Sequence, residues 1–246
     1  MFNNNLFFGP FKSKYENGIQ FEENIYNDKD FVDFYNFLES EFNDYDIYEN
    51  ILEHNENILE IGSGTGRILK YLSDKGFDVY GLEPSEKMIS YIDEKFKNKI
   101  FKFGIENISN IKNIKFKYVI IPATTISLFE FDVFEKFLID LKSILEPKSI
   151  IYFDFWNEIY VKNLDKKIEK INYKNTKVFF GNHIKNSSLI FNIYLKFDGK
   201  EKLGISKKKV YKKSLIRDIC KRTRYKVDFE NIPNNTVLAR LTNELL

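Results

Sequence analysis

The segment Ile58-Leu59-Glu60-Ile61-Gly62-Ser63-Gly64-Thr65-Gly66-Arg67 constrains this chain more than any other stretch. An apolar strand runs into glycine at every second position, and Ile68, Leu69 and Leu72 follow at helical spacing. Glycines let the backbone turn sharply and let a ligand lie against it with no Cβ in the way. The helix beyond opens with unpaired N–H groups. Glu60, two places before the first glycine, is wasted on a loop that only cradles phosphate. A carboxylate there suits a ligand that carries positive charge. The dinucleotide fingerprint G-x-G-x-x-G needs a third glycine where Arg67 stands. No G-x-x-x-x-G-K-[ST] phosphate loop is present.

A second strand pattern, Phe77-Asp78-Val79-Tyr80-Gly81-Leu82, ends in Glu83-Pro84-Ser85. Glu83 taken alone reads as a solvent-facing strand end. Behind the glycine loop it is placed to accept hydrogen bonds from the two hydroxyls of a ribose. Ser85 then caps a predicted helix with Met88, Ile89, Ile92 and Phe96 as its apolar stripe. Further strands are predicted at Phe101–Glu106, at Tyr118-Val119-Ile120-Ile121-Pro122 and from Ser149 to Phe155, running into Trp156-Asn157. Phe134, Phe137, Leu138, Leu141, Ile144 and Leu145 mark a helix between the last two.

From about Asp46 onward these features resemble the class I S-adenosylmethionine-dependent methyltransferases, and most closely the bacterial small-molecule enzymes. The resemblance implies an α/β, Rossmann-like, seven-stranded and mostly parallel sheet with helices on both faces. An antiparallel β insertion after strand five and an N-terminal helical lid complete the expected fold. The implied cofactor is S-adenosyl-L-methionine, with S-adenosyl-L-homocysteine as product. Its implied contacts are Glu60, Gly62, Ser63, Gly64, Gly66 and Arg67 in the loop, then Glu83, Pro84 and Met88. Pro122 and Ala123 carry over from the turn after strand four, while Thr124, Thr125, Ser127 and Trp156 fall at substrate-pocket positions. Two departures stand out. Ile105 occupies the place of an adenine-binding aspartate, so either Glu106 or the Ile105 backbone takes that role. Lys117 or Tyr118 stands where strand four often begins with an aspartate.

The chain of 246 residues reads as one domain: residues 1–50 a lid, 51–156 the cofactor core, 172–212 the antiparallel insertion, 213–246 a helix and strands. Residues 1–50 hold three basic and eleven acidic side chains and 14 of the 41 aromatics, although the whole chain carries only +2. Phe31, Phe34, Tyr35, Leu38 and Phe42 form a helix stripe capped near Asn27 or Asp28. Tyr15 and Tyr26 are expected near the pocket, as substrate contacts and catalytic candidates, with His183 a third candidate. Strands are predicted at Thr176–Gly181, Ser188–Phe197 and Leu203–Tyr211, with turns at Asn186-Ser187 and Asp198-Gly199-Lys200. A helix from Ser214 and strands at Tyr225–Glu230 and Thr236–Leu241 follow.

Segment 196–226 holds thirteen Lys or Arg against three acids, which raises an RNA substrate; the overall charge argues instead for a solvated lysine-rich face. Two distant histidines and the single Cys220 offer no metal-ligand spacing, and no metal is expected. No long apolar run or signal-peptide pattern occurs, so a cytoplasmic protein with no membrane partner is expected. The expected activity is methyl transfer to a small molecule, an amine before a hydroxyl. RNA, protein or peptide methylation and a non-catalytic cofactor-binding scaffold are the alternatives. A homodimer through the antiparallel insertion is also weighed; no nucleic-acid partner is expected.

Overall fold

The computed structural model of the protein describes residues 6–39, 44–197 and 199–243. They divide into two compact units: one contains the residues up to Leu38 and Glu158–Val210, the other Glu39–Asn157 and the residues from Tyr211 on. The chain opens in the first unit with α1 (Gly9–Glu16), β1 (Phe21–Glu22) and α2 (Lys29–Glu39). Asp28 caps α2, its Oδ1 accepting from the amides of Asp30 (2.9 Å) and Phe31 (3.3 Å). The second unit then begins with α3 (Tyr45–Glu49), β2 (Asn57–Ile61), α4 (Arg67–Asp74), β3 (Asp78–Leu82) and α5 (Glu86–Ile89). It continues through β4 (Ile100–Phe101), β5 (Phe116–Ile121), α6 (Phe131–Leu141) and β6 (Leu145–Trp156). The first unit resumes with α7 (Glu158–Leu164), β7 (Ile168–Tyr173), β8 (Thr176–Lys185), β9 (Ser188–Phe197) and β10 (Lys200–Lys209). The last elements, α8 (Lys213–Thr223), β11 (Tyr225–Ile232) and β12 (Thr236–Asn243), belong to the second unit.

In the second unit seven strands form one sheet in the order β4-β3-β2-β5-β6-β12-β11. All contacts from β4 to β6 are parallel; β12 alone runs against its neighbours. Strands covered on both faces must be apolar in consecutive positions. Leu59, Ile61, Val119 and Ile121 pack on one face with Phe134, Phe137 and Ile216. Ile58, Tyr118 and Ile120 pack on the other with Tyr48, Ile68, Leu69 and Leu72. The chain moves outward from β2 to β4, then returns to place β5 on the other side of β2. The carboxyl ends of β2 and β5 therefore flank the crevice where such sheets bind ligands.

Two sequence expectations for this unit change. The helix from Ser85 stops after Ile89, and a separate 3₁₀ segment covers Glu94–Lys99. Packing overrides the helical period here: Ile92 leaves the helix path, and its Cγ1 lies 3.0 Å from where a Cβ on Gly66 would stand. The third strand is only Ile100–Phe101, an edge strand with two pairing positions. Beyond it Ile105, Ile108 and Ile111 enter the core at every third residue, a spacing that a 3₁₀ turn satisfies and a strand does not.

In the first unit β10, β9, β8 and β7 are antiparallel and β1 adds parallel to β10. Asn186 and Ser187 make the β8–β9 turn with φ of 47° and 60°. The first strand of the insertion sheet starts at Ile168, before the expected residue 172; β7 is mostly exposed, with only Ile171 and Tyr173 half-buried, so its burial signal is weak. Of the expected N-terminal lid, residues 6–38 belong to this unit, while residues 39 and 44–50 fall in the other. Phe7 and Phe11 pack with Tyr194, Leu203 and Ile205 on one face of the sheet. Ile25, Phe31 and Phe34 pack with Val178, Ile193 and Leu195 on the other. Phe42 of the expected helix stripe and Asp198 of the expected turn lie outside the described residues. Among the described residues no helix is long and apolar enough to cross a membrane.

Candidate active site

The loop after β2 holds Gly62, Gly64 and Gly66 at φ of 71°, 56° and 82°, in the left-handed region that favours glycine. The Gly62 and Ser63 amides donate to the Leu82 carbonyl at 2.7 and 3.2 Å, which ties the loop to the end of β3. At Gly62 the requirement is also one of space, since a Cβ would stand 2.5 Å from Cγ2 of Thr125.

Buried carboxylates stand at both ends of this loop. Glu60 is 2% exposed at the end of β2, and its Oε2 has no hydrogen-bond partner. Burial pushes Glu60 up to about 8; Arg67 pulls it down, Asp44 and Glu83 push it further, and the Leu69 amide of α4 steadies the ionised form. Arg67 is largely engaged elsewhere. Its Nε donates to Glu39 at 2.8 Å, both terminal nitrogens donate to Asp44, and the guanidinium lies over the Tyr45 ring. Burial works against its charge, but Asp44 and Glu39 outweigh that and hold its pKa above the ordinary value. Glu83 faces the loop from beyond β3, its Oε2 accepting from the Gly64 amide (3.0 Å) and its Oε1 from the Ser85 amide (2.8 Å). Burial raises its pKa and the two amides oppose that rise.

Across the crevice, β5 ends at Ile121; Pro122 comes next, and Ala123 and Thr124 follow with φ of 54° and 56°. Two successive left-handed residues other than glycine cost about 1–3 kcal/mol each and persist only where their surroundings hold them. The Thr124 amide donates to Asp154 Oδ2 of β6 at 2.8 Å, and the Tyr48 hydroxyl of α3 donates to Asp154 Oδ1 at 2.7 Å. Burial pushes Asp154 up to about 6, against the pull of these two donors.

The sequence-predicted residues separate by unit. Met88 is buried with its Cε 3.4 Å from where a Cβ on Gly64 would stand, while Pro84 is exposed. Ile105 is buried in the core and Glu106 is exposed. Thr125 lies against Gly62, Ser127 is buried with no partner for its Oγ, and Trp156 closes β6 opposite Thr236. Tyr15, Tyr26 and His183 all belong to the other unit. Tyr15 stacks on Phe7 at 4.9 Å, Tyr26 meets Tyr35 edge-on at 5.8 Å, and His183 donates through Nε2 to the Leu6 carbonyl at 3.0 Å. Asp154, Tyr48 and Asp44 are absent from the sequence reading. Asp154 had a signal: it is the one charged residue between Ser149 and Trp156, in an otherwise apolar strand. Cys220 is a buried α8 residue whose thiol burial pushes up to about 12, as a packing role requires.

The donor set can be tested against a nucleoside that carries an ammonium. A buried carboxylate oxygen lacking a partner matches the ammonium, a second carboxylate with lone pairs to spare matches a pair of hydroxyls, and bare glycine backbone lies between them. The residues fit S-adenosylmethionine. With the strand order, this defines the class I S-adenosylmethionine-dependent methyltransferase fold.

Residues 58–148 match the family model described as a methyltransferase domain, and that segment is a methyltransferase domain. No curated protein matches the chain. Among solved structures, an S-adenosylmethionine-dependent methyltransferase from Clostridium acetobutylicum is similar, with TM-score 0.70 and 17% identity over 89% of this chain and 99% of that one. The CcbJ methyltransferase of Streptomyces caelestis gives 0.71 and 16% over 89% and 98%. CalS10, an amino pentose methyltransferase from Micromonospora echinaspora bound to S-adenosylmethionine, gives 0.63 and 12% over 96% and 98%. At these identities the likeness is one of fold.

Proposed function

We propose that this methyltransferase acts on a small molecule and that its acceptor is an amine. The observation that carries the donor half of this reading is the buried, unpaired oxygen of Glu60 at the mouth of the glycine loop. In this reading Glu60 takes the donor's ammonium, and Gly62, Ser63, Gly64 and Gly66 give it a surface without side chains. Glu83 takes the ribose hydroxyls, Met88 packs against the nucleoside, and Pro122 and Ala123 form the opposite wall. Arg67, paired with Asp44 and Glu39, shapes the loop's exit rather than touching the donor.

When bound, S-adenosylmethionine supplies a methyl group already activated on a sulfonium, so the protein's task is alignment more than acid or base chemistry. Effective concentration and orientation of this kind are worth on the order of several kcal/mol. Two features support an amine. Residues 1–50 are acidic and rich in aromatics, a composition that suits a cationic or amino substrate. The amino pentose methyltransferase among the fold's neighbours shows what one relative of this shape acts on. Thr125, Ser127 and Trp156 are the proposed substrate contacts in the methyltransferase unit.

The test is mass spectrometry after incubation with methyl-labelled donor and a mixture of amino sugars, other small amines, alcohols and RNA. Label on the nitrogen of a small amine is the expected result. Label confined to oxygen or to RNA would overturn the amine assignment.

A further inference from the structure

We infer that Asp154 is a positioning residue for the donor site, locking the turn after β5 against the glycine loop. The inference rests on the donor reading given above. Asp154 is only 7% exposed, although its neighbours Phe153 and Phe155 belong to the apolar core. Burying a carboxylate in such a strand is costly unless its oxygens are matched, and here each oxygen has a donor. The two donors come from different segments: the hydroxyl of Tyr48, itself 1% exposed, from α3, and the Thr124 amide from the turn. One side chain thus joins α3, the end of β6 and the exit of β5.

What it holds is strained. Ala123 and Thr124 both sit in the left-handed region, and within the turn the Thr125 amide donates back to the Pro122 carbonyl at 3.0 Å. The next residue carries the effect to the loop, because Cγ2 of Thr125 fills the space that a side chain on Gly62 would need. Asp154 touches no loop residue itself. Its influence runs through Thr124 to Thr125, and from Thr125 to Gly62.

The measurement is calorimetric titration of S-adenosylhomocysteine into wild-type, Asp154→Leu and Asp154→Asn protein, with melting temperature followed in parallel. Leucine is similar in size but removes both acceptors. Asparagine keeps an oxygen for the Thr124 amide and offers its own N–H to the Tyr48 oxygen. Asp154→Leu is expected to weaken binding tenfold or more, and Asp154→Asn to return within threefold of wild type. A folded Asp154→Leu protein that binds within twofold of wild type overturns the inference, whatever its melting temperature. If Asp154→Leu does not fold, Tyr48→Phe decides: a threefold or greater loss supports the inference and unchanged affinity overturns it. Wild-type protein that binds no S-adenosylhomocysteine would remove the donor reading, and this inference with it.

Discussion

The two units differ in where buried polar atoms are left unmatched. In the insertion unit, Asn192 is fully buried, accepting from the Phe8 amide at 3.3 Å and donating to the Leu6 carbonyl at 2.9 Å; His183 donates to that same carbonyl. Polar side chains there stitch the N-terminal segment onto a sheet. In the methyltransferase unit, Glu60 and Ser127 are buried with an oxygen that has no partner among the described residues. Native interiors rarely tolerate such atoms, and each calls for a specific reason such as strain, a bound water or ion, or a functional role. Buried polar groups that are matched point to architecture; those left unmatched beside a glycine loop point to a ligand.

That contrast breaks most sharply at Gly64. A valine there would have to adopt φ near 56° and press on Met88, and its methyls would occupy the surface kept clear for the donor. Donor affinity should fall on the order of a thousandfold in calorimetry. Retained binding would mean that the loop is only a turn.

Glu60→Gln should be next in size, weakening S-adenosylmethionine binding about a hundredfold. It also carries a pH signature. The folded protein without ligand holds the Glu60 proton up to about pH 8, far above its ordinary value, so this group's contribution to stability is present at low pH and lost as pH rises toward 8. Binding an ammonium needs the ionised form, so wild-type affinity should rise by up to about tenfold per pH unit between roughly 6 and 8. Glu60→Gln should flatten that profile and raise the melting temperature of the ligand-free protein at pH 8.5. A pH-independent wild-type affinity would show that Glu60 is not the ammonium's partner.

Asn192→Ala probes the other side and should be the smallest effect on binding. Loss of its two hydrogen bonds should cost about 1–3 kcal/mol of stability and leave donor affinity within twofold, measured by thermal melting and calorimetry together. A large change in affinity would erase the distinction between the units.

How legible this was in the sequence follows the same division. The glycine loop, Glu60 and Glu83 were readable because local chemistry dictates them: positive φ requires glycine, and the acids fall at the tips of strands whose apolar runs are unmistakable. The parallel strands β2, β5 and β6 were readable because burial on both faces leaves them almost uniformly apolar. The break after Ile89 was not, because Ile92 answers to Gly66 rather than to its own helix period. Asp154 and Tyr48, 106 residues apart, meet only through the sheet, and no local pattern encodes that pairing. In β7 only Ile171 and Tyr173 are half-buried, which leaves a weak burial signature.

The most direct measurement is calorimetric titration of the wild-type protein with S-adenosylmethionine at pH 8, with NAD and ATP as competitors for the same loop. Saturable, one-to-one heat with the methyl donor alone is the predicted result. Silence toward the donor, with heat on adding either of the other two nucleotides, would contradict the assignment of this loop.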